Sequence, residues 1–115
     1  MNQSYSYDDI FLIPQYSKIR TRSSVDTATR FGDFILRTPI MSSNMDTITG
    51  SDMSIAMNKS GGVGSLHRFM TIEDNVHEYT LVRAGGGDCF VSVGVNDHSR
   101  ERADALYSAG ARNFI

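Results

Sequence analysis

Over the first forty residues the apolar positions follow no helical period. Tyr7 to Ile13 mixes apolar and acidic positions and is closed by Pro14. Residues 15–30 are polar, with Arg20, Arg22 and Arg30 spaced among Ser and Thr. Phe31 to Leu36 predicts a short strand or one arm of a hairpin, interrupted at Gly32 and Asp33. This stretch has the pattern of an arm packed on something else rather than of a domain.

From Pro39 a repeating rhythm sets in. Pro39-Ile40-Met41 is a short apolar run that ends in the polar residues Ser42 to Asp46. Asp52 to Ser60 predicts a helix, with Met53, Ala56 and Met57 at i, i+3, i+4, stopped by Gly61 and Gly62. Val63 to Leu66 is a second short run, ending in His67-Arg68. Thr71 reads as an N-cap, with Glu73 and Asp74 in the first turn and Ile72, Val76 and Tyr79 on one face. Gly85-Gly86-Gly87 breaks that helix. Cys89 to Val95, rich in β-formers, predicts the longest strand and ends in Asn96-Asp97. Ser99 to Ala109 predicts a third helix, with Ala103, Leu106 and Tyr107 on one face and Gly110 as its cap. Asn113-Phe114-Ile115 begins a fourth strand.

The order arm–β–α–β–α–β–α–β predicts an α/β fold with a parallel sheet. A flavodoxin-like sheet and a (β/α)8 TIM barrel both begin this way, and the short strands favour the barrel. Residues 1–37 form the expected N-terminal arm. Residues 38–115 form a partial (β/α)8 barrel of about four parallel strands and three helices. A full barrel needs about 250 residues, so the chain is expected to supply roughly the first half, as part of a longer polypeptide or as a truncated product.

Composition narrows the class. The chain has 115 residues, 11 basic against 13 acidic, for a net charge of −2, so it carries no basic footprint for nucleic acid. Its single Cys cannot form an internal disulfide or supply the thiolates of a zinc site. The polar, acidic Met1 to Asp9 does not fit a secretory signal, and no apolar run reaches the ~18 residues of a membrane span. The expectation is a soluble, cytoplasmic chain without nucleic-acid or membrane partners.

In parallel α/β folds, sites gather at the carboxyl ends of strands. Here these ends deliver Ser42 to Asp46, then His67 and Arg68, then Asn96, Asp97 and His98. Asn96 to Ser99 is read as an ordinary helix cap. Ser43 to Asp46 is an unusual turn, with no Gly or Pro and a Met in an exposed loop. Arg68, read on its own, is as readily a surface arginine as a site residue. Cys89 is expected to be a buried structural thiol, with only Asp88 beside it to raise its pKa. Gly61, Gly62 and Gly64 precede a strand rather than a helix, so they are no dinucleotide fingerprint. His67, His77 and His98 show no metal-ligand spacing, and His77 is expected to face solvent.

Several motifs, in order, resemble the start of the IMP dehydrogenase and GMP reductase family. Tyr7-Asp8-Asp9-Ile10 with Leu12-Ile13-Pro14 is similar to the family's opening segment. Arg22-Ser23-Ser24-Val25-Asp26 is similar to its arm motif. Pro39 to Thr47 matches its first barrel strand and loop, Gly61 to Arg68 its second, and Val91 to Val95 its third. The resemblance implies a (β/α)8 barrel that assembles as a homotetramer and works at C2 of a purine nucleotide, GMP or IMP, through a covalent thioimidate on a cysteine. That cysteine belongs to the second half of the barrel, so no catalytic residue is expected in this chain. The same holds for the loop that binds a monovalent cation such as potassium. Other residues carry over. Ser43 and Met45 match positions that approach the nucleotide in the dehydrogenases. Arg68 matches a basic position that contacts NADPH in the reductases. Thr21 and Arg22 match an arm segment that reaches a cofactor from a neighbouring subunit.

The resemblance leaves two activities. The dehydrogenases usually insert paired CBS modules before the third strand, whereas Val82 to Asp88 bridges that point directly. This, Asn44 and the Arg22 to Asp26 segment favour GMP reductase with NADPH. Asp46-Thr47-Ile48-Thr49 and the double glycine before Val63 favour a CBS-less IMP dehydrogenase with NAD. A non-catalytic truncated half-barrel is the remaining alternative.

Overall fold

The computed structural model describes residues 3–115, so Met1 and Asn2 of the polar opening segment lie outside the described residues. Two single 3-10 turns, Tyr7–Asp9 and Arg22–Ser24, punctuate the arm. A hairpin follows, β1 (Thr29–Phe31) against β2 (Phe34–Leu36), antiparallel. Its turn needs Gly32, whose φ of 58° is left-handed. Then come β3 (Met41–Ser42), α1 (Ser51–Lys59), β4 (Val63–Leu66), α2 (Ile72–Ala84), β5 (Phe90–Val91) and α3 (Ser99–Ser108).

Strands β3, β4 and β5 form a parallel sheet in that order, with Met41 opposite Val63 and Ser65 opposite Phe90. Phe114 adds a parallel bridge to Val91, so the expected fourth strand is present as a single rung. The fold is therefore α/β, with three helices between parallel strands. One face of the sheet packs on the helices, through Leu66, Val91 and Cys89 against Tyr79, Val82, Leu106 and Ala111. The other face meets the hairpin: Leu36, Val63 and Phe90 are buried together, and the Phe90 ring lies 5.3 Å from that of Phe31 and 5.0 Å from that of Phe34.

Capping chemistry sets the helices. Thr71 accepts a hydrogen bond from the Asp74 amide at 3.1 Å, as its position predicts. Helix α1 starts at Gly50, which has no capping side chain, and its first amide is satisfied from a distance. Ser51 N–H donates to the Glu78 carboxylate of α2 at 2.6 Å. Arg102 of α3 grips the start of α2, donating to the Met70 carbonyl at 2.8 Å, the Asn75 side-chain oxygen at 2.9 Å and the Thr71 carbonyl at 3.3 Å.

Three expectations are corrected. The buried face of α1 is Ser51 and Ser54; Met53 and Ala56 are exposed and Met57 is half-buried. The helix lies so close to β4 that only small side chains fit there. A Cβ on Gly64 would overlap the Ser54 hydroxyl and come within 2.8 Å of Ser54 Cα. The strand expected over Cys89 to Val95 is limited to Phe90–Val91. The Cys89 amide donates to Asp88 Oδ1 instead of a neighbouring strand. Ser92 and Val93 still donate to the Leu66 and Ile115 carbonyls, and Val95 is fully exposed. Tyr107, expected on the core face of α3, is 57% exposed, with the Arg112 guanidinium 4.0 Å from its ring.

Every residue from Gln3 to Asp33 is exposed, including Tyr7, Phe11, Leu12 and Tyr16. The radius of gyration is accordingly 17.3 Å, against about 13 Å for a compact chain of this length. Limited trypsin digestion is expected to cut first at Lys18, Arg20 or Arg22, and only later at Arg83 within α2. First cleavage at Arg83 would show instead that the arm is protected.

Candidate functional site

The carboxyl ends of β3, β4 and β5 bring their polar residues together. The chain leaves β3 at Ser43 and turns back, with the Ile48 and Thr49 amides donating to the Met45 carbonyl at 3.0 and 3.1 Å. Thr49, fully buried, pins this turn: its hydroxyl hydrogen-bonds the Ser43 carbonyl and lies 3.0 Å from Ser42 Oγ. Ser43 itself is exposed, and its hydroxyl has no hydrogen bond among the described residues. Met45 is 53% exposed, an apolar side chain held at the surface by its loop. Asn44 crosses the sheet end, donating to Ser92 Oγ at the end of β5 at 3.0 Å.

At the end of β4, His67 is buried and its Nδ1 accepts from the Phe69 amide at 3.2 Å. That fixes the tautomer with the proton on Nε2 when the ring is neutral. Its carbonyl accepts from Asn75, which Arg102 in turn holds. Arg68 is half-buried. Its guanidinium makes no ion pair or hydrogen bond among the described residues. The Phe69 ring centre lies 5.0 Å from Arg68 Cζ, and Gly94 lies close beside it. A charged group without a partner is available to an anion.

Thr21 and Arg22 stand apart. Both are exposed on the arm, and the turn is closed on itself: Thr21 Oγ1 lies 2.9 Å from Ser23 Oγ, and the Thr21 carbonyl accepts from Ser24 Oγ at 2.8 Å. No hydrogen bond among the described residues joins them to Ser43, Met45 or Arg68. An apolar cavity of about 210 Å³ lies between the hairpin and β3, lined by Thr29, Phe31, Leu36, Pro39 and Met41. No titratable side chain lines it, and none of the site residues singled out above is part of its lining. Among the described residues no three His, Cys, Asp or Glu side chains converge as metal ligands, and no helix is long and apolar enough to cross a membrane.

Sequence reasoning passed over Asn44 with Ser92, and over Phe69 and Gly94 beside Arg68. A glycine within a β-rich run signals close approach of another group, and Gly94 carries that signal.

Cys89 is buried and its thiol is pushed up to about 12, first by burial and then by the Asp88 carboxylate. The sequence shows no cation beside it, but the fold brings one. Arg83 pairs with Asp88 at 3.0 Å and opposes the shift. Tyr79 donates to Asp88 Oδ1 at 3.1 Å and is likewise raised to about 12, chiefly by burial. Because the neutral thiol is favoured by folding, the Cys89 contribution to stability is complete below its ordinary 9.0 and is lost as pH rises toward about 12. Alkylation at pH 8 is therefore expected to be far slower in the native chain than in denaturant. Equal rates would show an accessible, reactive thiol.

The family model for the IMP dehydrogenase / GMP reductase domain matches residues 4–114. The chain belongs to the IMP dehydrogenase / GMP reductase family. It is 39% identical over 85 residues to the inosine-5'-monophosphate dehydrogenase of Nitrosopumilus maritimus (strain SCM1), covering 73% of this chain and 18% of that protein. It is 45% identical over 73 residues to the GMP reductase of Leishmania donovani, covering 63% of this chain and 15% of that one. Among solved structures it is similar to the inosine 5' monophosphate dehydrogenase of Legionella pneumophila. The TM-score is 0.79 with 43% identity, over 97% of this chain and 34% of that one. The chain thus spans under a fifth of these curated family members and about a third of the solved one. Both dehydrogenases and reductases stand among its relatives.

Proposed function

We propose that the chain forms residues 1–37 as an arm and 38–115 as the first part of a (β/α)8 barrel in a purine nucleotide oxidoreductase. The reaction we assign is reductive deamination of GMP to IMP with NADPH. The observation that carries this reading is Arg68, a guanidinium at the carboxyl end of β4 that has no ion pair or hydrogen bond among the described residues and is suited to a phosphate of the cofactor. NADPH, when bound, supplies the hydride.

The residues of this chain would bind and orient. Ser43, whose hydroxyl has no hydrogen bond among the described residues, would hydrogen-bond ribose or phosphate of the nucleotide, and Met45 would cover the base with apolar surface. Thr49 and Asn44 keep that loop in place. Thr21 and Arg22 would serve a cofactor in a neighbouring subunit of a homotetramer. The nucleophile and the monovalent-cation loop would come from the rest of the barrel. Cys89, buried with a raised pKa, is unsuited to attack. A second reading, IMP dehydrogenase with NAD, is favoured by the Asp46 to Thr49 segment and by the dehydrogenases among the relatives.

The test is an assay of both directions: NADPH loss with GMP, and NADH gain with IMP. The 115-residue chain by itself is expected to give neither. The full-length enzyme is expected to oxidise NADPH with GMP and release ammonia. NADH formation from IMP in place of that reaction would establish the second reading. Turnover by the 115-residue chain itself would overturn the partial barrel, and Cys89→Ser would be the first variant to make.

A further inference from the structure

Phe69 and Gly94 lie beside the Arg68 guanidinium, and neither takes a hydrogen bond from it. The Phe69 ring centroid is 5.0 Å from Cζ, within cation–π range. Gly94, just past β5, supplies bare backbone: a Cβ there would come within 3.2 Å of Arg68 Cζ, 3.3 Å of Ser99 Oγ and 3.4 Å of Arg68 Nε. Gly94 has no left-handed φ, so its backbone does not require glycine and the constraint is one of space. A carboxylate partner would also fix an arginine, but it would neutralise the charge and occupy the donor fork. An aromatic face and a glycine locate the same group and leave its five donors open to a phosphate.

We propose that Phe69 and Gly94 are positioning residues that set where Arg68 presents its charge to a phosphate of the nicotinamide dinucleotide. This rests on the assignment of Arg68 to the cofactor. Phe69 holds the guanidinium by its ring, and Gly94 by leaving room for it. Phe69 is 61% exposed, so its role is not that of a core residue.

The test uses Phe69→Leu, Phe69→Tyr and Gly94→Ala in the full-length enzyme, beside Arg68→Gln. Phe69→Leu and Gly94→Ala should each raise the cofactor KM about threefold to tenfold, with the purine nucleotide KM little changed in both and Tm little changed in Phe69→Leu. Phe69→Tyr keeps the aromatic face and should restore the wild-type value. In NMR spectra of the same proteins, the Arg68 Nε proton should be shifted upfield by the ring in wild type and Phe69→Tyr, and not in Phe69→Leu. If Arg68→Gln raises the cofactor KM while Phe69→Leu and Gly94→Ala leave it alone, the positioning role is wrong and the role of Arg68 stands. If Arg68→Gln itself leaves the cofactor KM unchanged, the assignment of Arg68 falls, and this inference with it.

Discussion

Gly64→Ala is expected to cost about 2–4 kcal/mol, from the upper part of the usual range for overpacking a core to somewhat above it. For a domain of this size that is a fall in Tm on the order of 10–20 °C. The new Cβ would overlap the Ser54 hydroxyl and sit 2.8 Å from both Ser54 Cβ and Ser54 Cα. Rotating the serine relieves only the first of these contacts. The other two require α1 to move away from β4, which disrupts the packing of the helix on the strand. Ser54→Gly in the same chain removes Oγ and Cβ but leaves Cα in place, so the double variant should recover only part of the loss. Full recovery would mean that the helix backbone is not the limit. The consequence reaches the site: α1 begins just after Thr49, whose hydroxyl pins the Ser43 carbonyl. A displaced α1 should also loosen the loop that presents Ser43 and Met45.

The same close contact explains what the sequence could not reveal about α1. Met53, Ala56 and Met57 have helical spacing and look like a core stripe, yet the buried positions are Ser51 and Ser54. Periodicity records which side chains are apolar, not how near the opposing strand comes. The information lay on β4, where Gly64 removes the side chain that would hold a helix off. By contrast, α2 was legible because its determinants are local: Thr71 caps the Asp74 amide three residues on, and Tyr79 and Val82 are buried. The β5 strand was overestimated because β-propensity at Val93 and Val95 says nothing of neighbours, and Val95 has no strand beside it among the described residues. For the site, the ends of the strands could be read from where apolar runs turn polar. The bond from Asn44 to Ser92 joins residues 48 positions apart, and no local pattern encodes it.

Arg68→Ala is expected to weaken NADPH binding roughly tenfold to a hundredfold in the full-length enzyme, the loss of about 1.5–3 kcal/mol for a charge-assisted hydrogen bond to phosphate. The large value follows from what surrounds the residue. An arginine already paired with a carboxylate would give up one partner to take another, and the net gain would be small. Arg68 has no such partner among the described residues, so its attraction for an anion is not offset by an ion pair broken on binding. Its half-buried position also screens it less than a fully solvated side chain. Arg68→Lys keeps the charge but not the planar fork, and should fall between Ala and wild type. Purine nucleotide binding should change little, because Ser43 and Met45 sit on a separate loop held by Thr49 and Asn44. Isothermal titration with NADPH and with GMP separates the two. A weakened GMP affinity with unchanged NADPH affinity would move Arg68 from the cofactor to the nucleotide and reverse the assignment.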